Sequence, residues 1–453
     1  YEISCSLVGS EMCIRDSLTL ADSRAVVTDT VTYTNLLKGE TYTLSGVLMD
    51  KETGKELLVD GEPVTQEMAF TAGRASGTKK LKFEFDTTGL AGKSFVVYET
   101  LTLEDVEVAE HKDINDEGQT IHIPAAQTTA TDDSSKINVS EAKKEVSVTD
   151  TVAYRNLVPG KEYTVRGKAV DKETGEPLTD ADGNELVSTA KFTAASADGS
   201  VDVKFTFDGT AMAGRSVVFF ENVYYTDKLI AVHADIDDEA QTVHIPLIFT
   251  SVKDKDTDSH MSLAGSDVTL TDTVAYRNLV PGEKYTVTGT AIDKTTGEPL
   301  KDDAGKDVTA KASFKAEKAN GTVDVEFVFD GSTLAGKTVV MYENIYYNNK
   351  LVGVHADISD EAQIIYVPSV KTAATDTKTE TKLTYAEKDI KITDTVEYTN
   401  LIPGKTYKVT GTAMDKKTGK VIKDADGKAV TSEAEILSLI HISEPTRLQL
   451  ISY

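Results

Sequence analysis

Apolar and polar residues alternate along much of this chain. EYTVRGKAV (162–170) and VDVKFTF (201–207) place side chains of opposite character at successive positions, and SVVFFENVYY (216–225) is β-branched and aromatic. No 3.6-residue period is sustained in them, so they read as strands. DKETGE (171–176) and DADGNE (180–185) between them are hairpin-type turns, with Gly where positive φ is useful. Seven or so short strands in about 120 residues predict an all-β, immunoglobulin-like sandwich.

The pattern repeats. TDTVTYTNLLKGETYTLSGVLMDKETGKEL returns as TDTVAYRNLVPGKEYTVRGKAVDKETGEPL, then twice more, with its Asp at Asp29, Asp150, Asp272 and Asp394. A second block, such as AVHADIDDEAQTVHIP, occurs three times, with His111, His233 and His355 spaced by 122 residues and Gln119, Gln241 and Gln363 likewise. Self-similarity at a fixed period marks a tandem array. Repeat one is 18–124 and lacks its first strand, repeats two (125–246) and three (247–368) are complete, and repeat four (369–436) is truncated. The joints follow Pro124, Pro246 and Pro368, and such short links predict a semi-rigid, monomeric rod. Repeat four is expected to be poorly folded, with an exposed edge prone to association.

The ends, 1–17 and 437–453, are out of register with everything between them. Their strings SEMCIRDS and SLIHISEPTR resemble translated sequencing-adapter read-through, so both are set aside as non-native. Both cysteines, Cys5 and Cys13, fall there, which leaves the rest without disulfide or thiol chemistry.

The 453 residues carry a net charge of −26, which disfavours nucleic acid as a partner. No apolar run approaches the roughly 20 residues of a membrane helix, so no membrane contact is expected of this fragment. The DADGNE turn resembles part of a calcium loop but lacks its closing bidentate Glu and flanking helices, and reads as a solvated hairpin. In the pairs Tyr224–Tyr225 and Tyr346–Tyr347, one ring is expected to face the core and one solvent. His122 and His244 recur, but the third copy has Tyr366, which argues against a role that needs imidazole there. No HExxH, Cys/His cluster, GxSxG or phosphate-cradling loop occurs; no metal, no cofactor and no multiple-turnover active site is expected.

One polar set keeps its spacing in both complete repeats: Thr128, Asp150, Glu221, His233, Asp238 and Gln241, then Thr250, Asp272, Glu343, His355, Asp360 and Gln363. These residue types suit attack of a Thr hydroxyl on a Gln carboxamide, releasing ammonia and leaving an ester. His233 can serve as the base and Asp238 can orient it. Asp150 and Glu221, two acids sharing one proton, can polarise the carboxamide. Thr128 lies in the first strand and Gln241 begins the last, and these two strands can lie side by side.

The DTVxYxNLxPGxxYTVxG block, the VVxFE-like segments ending in Glu99, Glu221 and Glu343, and HxDIxDExQ at His111, His233 and His355 resemble VaFE-repeat surface proteins, the Thr–Gln ester-bond domains of Gram-positive adhesins. The resemblance covers about 18–436. It implies CnaB-like modules that form an intramolecular Thr–Gln ester autocatalytically, assisted by a His, an Asp and two acids. It implies an extracellular, cell-wall-anchored stalk whose host ligand is bound by a domain outside this fragment, and not an enzyme. Asp171 rivals Asp150, and Thr129 and Thr131 rival Thr128, which alone matches Thr250 and Thr372. Repeat one has Asp29, Glu99, His111, Asp116 and Gln119 but no Thr in register; repeat four has Thr372 and Asp394 but no His or Gln. Neither is expected to crosslink internally. The competing reading is a Lys–Asn or Lys–Asp isopeptide, with Lys136 or Lys143 and Asn222, or no crosslink.

Overall fold

A computed structural model describes residues 2–9, 18–21, 24–302, 304–438 and 446–451, the first and last of these segments by their backbone. The remainder of the two end segments set aside above lies outside the described residues. The chain forms two compact units, Tyr1–Ile245 and Pro246–Tyr453, taken in turn below.

Repeat two, in the first unit, shows the complete module. Its strands are β1 (Ala125–Asp132), β2 (Val146–Arg155), β3 (Glu162–Asp171), β4 (Val187–Thr193), β5 (Gly199–Phe207), β6 (Arg215–Tyr225), β7 (Lys228–His233) and β8 (Thr242–Ile245). Every pairing is antiparallel. One sheet runs β1-β2-β5, and the other runs β4-β3-β6. One edge of β6 is shared: β8 pairs with Arg215–Val218 and β7 with Glu221–Tyr225. A 3-10 turn, Glu239–Gln241, crosses the gap between β7 and β8.

The alternating sequence explains the layers. Val146, Val148 and Val152 of β2 and Val203 and Phe205 of β5 point inward, where they meet Val165 of β3 and Val217 and Phe219 of β6. The rings of Phe205 and Phe219 stand 4.7 Å apart. Removing each such side chain from water contributes about 1.5–3 kcal/mol. Tyr225 is buried with its ring 5.4 Å from Tyr163, while Tyr224 is half-buried with the Arg166 guanidinium 4.8 Å from its ring. The one-in, one-out expectation holds for this pair; in repeat three both tyrosines are half-buried, and Tyr347 stacks on Tyr285 at 5.0 Å. DADGNE is a hairpin in which Asp180 accepts the backbone N–H groups of Asp182 and Asn184.

In repeat one, Ala25–Thr34 pairs with Gly77–Phe85 on one side and with Glu2–Gly9 on the other. The end segment therefore fills the place of β1, pairing a sheet edge that would otherwise leave N–H and C=O groups open. It brings Cys5 opposite Val31, where repeat two has Thr128 opposite Val152.

Repeat three, in the second unit, copies repeat two, with Leu247–Asp254, Val268–Arg277 and Gly321–Phe329 forming its smaller sheet. In repeat four, Thr446–Ile451 pairs with Lys391–Thr399 where repeat two has β5. Its core is thin: among the described residues of 369–438, the buried apolar side chains are Val396, Val430 and Ile436.

Candidate functional site

The buried edge between the sheets holds the polar set. Alternation along β1 turns Thr128 inward (4% exposed) and Thr129 outward, so of these rivals Thr128 faces the polar set. Asp150 is inward on β2, and Glu221 is inward on β6, opposite Gly167 of β3 and His233 of β7. Gly167 is required there, because a Cβ would lie 2.6 Å from the Phe205 ring and 3.3 Å from the Glu221 carboxylate. Asp238 caps the 3-10 turn through the Ala240 N–H at 2.8 Å, and this turn delivers Gln241 as its last residue. The first and last strands are therefore not side by side. β1 and β8 belong to opposite sheets, and Thr128 meets Gln241 across the open side of the sandwich.

The Gln241 Nε2 donates to Thr128 Oγ1 at 2.8 Å and to Glu221 Oε2 at 3.0 Å. Thr128 Oγ1 lies 3.4 Å from His233 Nδ1, and His233 Nε2 lies 3.3 Å from Asp238 Oδ2. A neutral imidazole with its proton on Nε2 gives that N–H to Asp238 and leaves Nδ1 free to accept from Thr128. Burial, and secondarily Asp150, push the Glu221 carboxyl far above its ordinary value, to about 11. Burial raises Asp150 as well. If both acids were ionised, the two Asp150 oxygens and Glu221 Oε1 would be buried with no donor. One proton held between the two acids joins one oxygen of each, and a lone shared charge is far cheaper than two. Turned half a revolution, the Gln241 carboxamide puts its carbonyl oxygen where a protonated Glu221 donates to it; untwisted, that oxygen has no donor.

Repeat three brings the same residues together. Gln363 donates to Thr250 and Glu343, and His355 Nε2 is 3.3 Å from Asp360. Burial raises Glu343 to about 10 and Asp272 to about 6. Burial lowers His355, which favours the neutral, basic form, and its buried Nδ1 has no hydrogen-bond partner. Repeat one assembles the acceptor half: Gln119 donates to both Glu99 oxygens at 2.7 Å, His111 lies 3.3 Å from Asp116, and burial raises Asp29 to about 6. Repeat four brings only Thr372, exposed, and Asp394, half-buried and raised by that burial.

The rivals fall elsewhere. Asp171 caps the β3 turn through the Glu173 N–H at 2.9 Å and pairs with the Arg215 guanidinium. Thr131 stands three residues along β1. Lys136 lies 3.7 Å from Asp133, and Lys143 donates to Ser134 at 3.1 Å. Among the described residues no group of three or more His, Cys, Asp or Glu side chains is placed to hold a metal ion. No described helix is long and apolar enough to cross a membrane. The sequence reading missed Gly167, whose only sign is a Gly inside an otherwise alternating strand in each copy of the block.

Solved structures that resemble the chain include a bacterial adhesin from Mobiluncus mulieris containing intramolecular disulfide, isopeptide and ester bond cross-links. In one crystal form it is 13% identical over 56% of this chain and 88% of that one, with a TM-score of 0.22; in another it is 12% identical over 72% and 96%, with a TM-score of 0.23. The C-terminal domain of the Streptococcus agalactiae AgI/II polypeptide BspA is 9% identical over 51% of this chain and 100% of that one, with a TM-score of 0.26. At these scores the likenesses carry no argument. No curated protein matches the chain. A family model described as a T-Q ester bond containing domain matches four times in tandem, at 15–123, 124–245, 246–367 and 368–440. The chain belongs to the family of T-Q ester bond containing domains.

Proposed function

We propose that repeats two and three each form a Thr–Gln ester autocatalytically, Thr128 with Gln241 and Thr250 with Gln363. The observation that carries this reading is the buried Gln241 carboxamide held at once by the Thr128 hydroxyl and Glu221. His233 Nδ1 takes the Thr128 proton as Oγ1 bonds to the Gln241 carbonyl carbon. The proton shared by Glu221 and Asp150 steadies the oxygen of the tetrahedral intermediate. Imidazolium then returns its proton to the departing nitrogen. One hydroxyl and one carboxamide become one ester and one ammonia, and no cofactor is consumed. Each site reacts once, so the protein is not an enzyme in the turnover sense. Burial keeps water from reversing the step.

The array would serve as the stalk of an extracellular, cell-wall-anchored adhesin of a Gram-positive bacterium, with ligand binding left to another domain. Support comes from the family and from the absence of cysteine between residues 18 and 436, which leaves these repeats no disulfide as a covalent brace. The test is the intact mass of the full chain beside its Gln241→Ala and Gln363→Ala variants. The parent should lack two ammonia molecules, each single variant one, and the double variant none. A parent of full unmodified mass would end the proposal. Crosslinks that survive hydroxylamine would point instead to an isopeptide.

A further inference from the structure

The turn after β2 carries Asn156, a residue that the proposed ester chemistry does not use. Its backbone is left-handed, with φ of 61°, and its N–H is held by Asp198 at 2.9 Å. This aims the side chain at repeat one. There Nδ2 donates to the carbonyls of Lys93 at 2.6 Å and Ile123 at 3.3 Å. Its Oδ1 accepts from the Ser94 hydroxyl at 2.8 Å and lies 3.0 Å from His122 Nδ1. A carboxamide has two donor hydrogens and two acceptor lone pairs; both donors and one lone pair are engaged here, and the second lone pair is engaged when His122 carries its proton on Nδ1. Repeat four meets repeat three in the same manner. Asn400, with φ of 62°, donates to the carbonyls of Lys337 and Val367 and accepts from Thr338 at 2.7 Å. Tyr366 stands there where repeat one has His122, so the imidazole is the variable part of the socket.

We infer that this Asn is a plug that locks a repeat onto its predecessor, and that its socket is a docking surface for another repeat of the same family. The Pro-led link alone would be a tether; the plug makes the joint a fitted contact. Asn35 of repeat one has the same left-handed backbone, with φ of 60°, and its side chain is exposed. It supplies an internal control, since substitution there makes the same local change at a side chain that faces solvent.

Asn156→Asp keeps the shape and tolerates the left-handed conformation, but it turns two donors into a charge facing two carbonyls. The experiment places nitroxide labels at the exposed Lys80→Cys and Lys204→Cys in the full chain, with Cys5 and Cys13 changed to Ser, and measures the spread of label distances. The parent and Asn35→Asp should give one narrow distribution, and Asn156→Asp a broad one. His122→Tyr should stay narrow. A broad parent, or an Asn156→Asp chain as narrow as the parent, would overturn the inference. Intact mass of each sample reports the ester independently, so failure of the crosslink and failure of the plug are read apart.

Discussion

At the scale of single residues, the site works by holding charge where it is unwelcome. Glu343 and Asp272 are raised to about 10 and about 6, chiefly by burial, so the folded repeat keeps a proton that the unfolded chain releases. For a raised acid, the folded state binds more protons above the ordinary value of 4.5. Its contribution to stability is therefore complete below that value and is lost as pH rises toward 10. A chain kept open by Thr250→Ala should show repeat three losing stability over that interval, measured by denaturant titration at each pH. The crosslinking rate should have two limbs. It rises as His355, lowered by burial from 6.5, sheds its proton, and falls on the alkaline side as the acid pair empties. Ammonia release after refolding, followed against pH, would show a flat profile if these groups took no part. Loss of the base in His233→Ala should slow ester formation in repeat two by about 10²–10⁴-fold, read as the time course of mass loss.

At the scale of strands and turns, much of this was legible. The two-residue alternation gives the strands, and the 122-residue spacing gives the modules, because both follow from which side chains must leave water. Thr128, Glu221 and Asp150 could be guessed as inward-facing from the same alternation. Sequence spacing could not show that β1 and β8 lie in opposite sheets, since that depends on how β6 divides one edge between β7 and β8. Nor could it show that Gln241 ends a 3-10 turn capped by Asp238, so that one carboxylate both starts the turn and holds His233. Gly167 is a further case of local geometry invisible in composition. Gly167→Ala should push Phe205 off its place and disturb Glu221, destabilising repeat two by about 1–3 kcal/mol as overpacking does. Thermal unfolding of the chain carrying Gln241→Ala, with and without Gly167→Ala, checks it; equal midpoints would show that β3 yields without cost.

At the scale of the whole molecule, an ester would tie residues 113 positions apart. By analogy with a disulfide closing a loop of that size, it removes about 5 kcal/mol of unfolded-state entropy, a model-dependent figure. Its mechanical effect is larger. At about 3.4 Å per extended residue, each bond would withhold a few hundred ångströms of length. Force applied along repeats two and three would then fall on the nine-residue passage from Gln241 to Thr250. Single-molecule pulling should show no extension from repeats two and three in the parent. Their full contour length should appear in the Gln241→Ala and Gln363→Ala double variant.

The position of Gln241, at the end of its repeat on the last turn before the last strand, also fixes an order of events in the life of the chain. Thr128 is made first and must wait for the residue that answers it, and the site does not exist until β7 and the 3-10 turn have folded onto β1. Until then the polypeptide is an unbranched thread, able to be drawn through any narrow channel it must cross. With the proposed ester it would carry a closed ring that cannot pass. If the proposed ester forms, a repeat of this design would be locked only after folding, and bond formation would mark the completion of its journey.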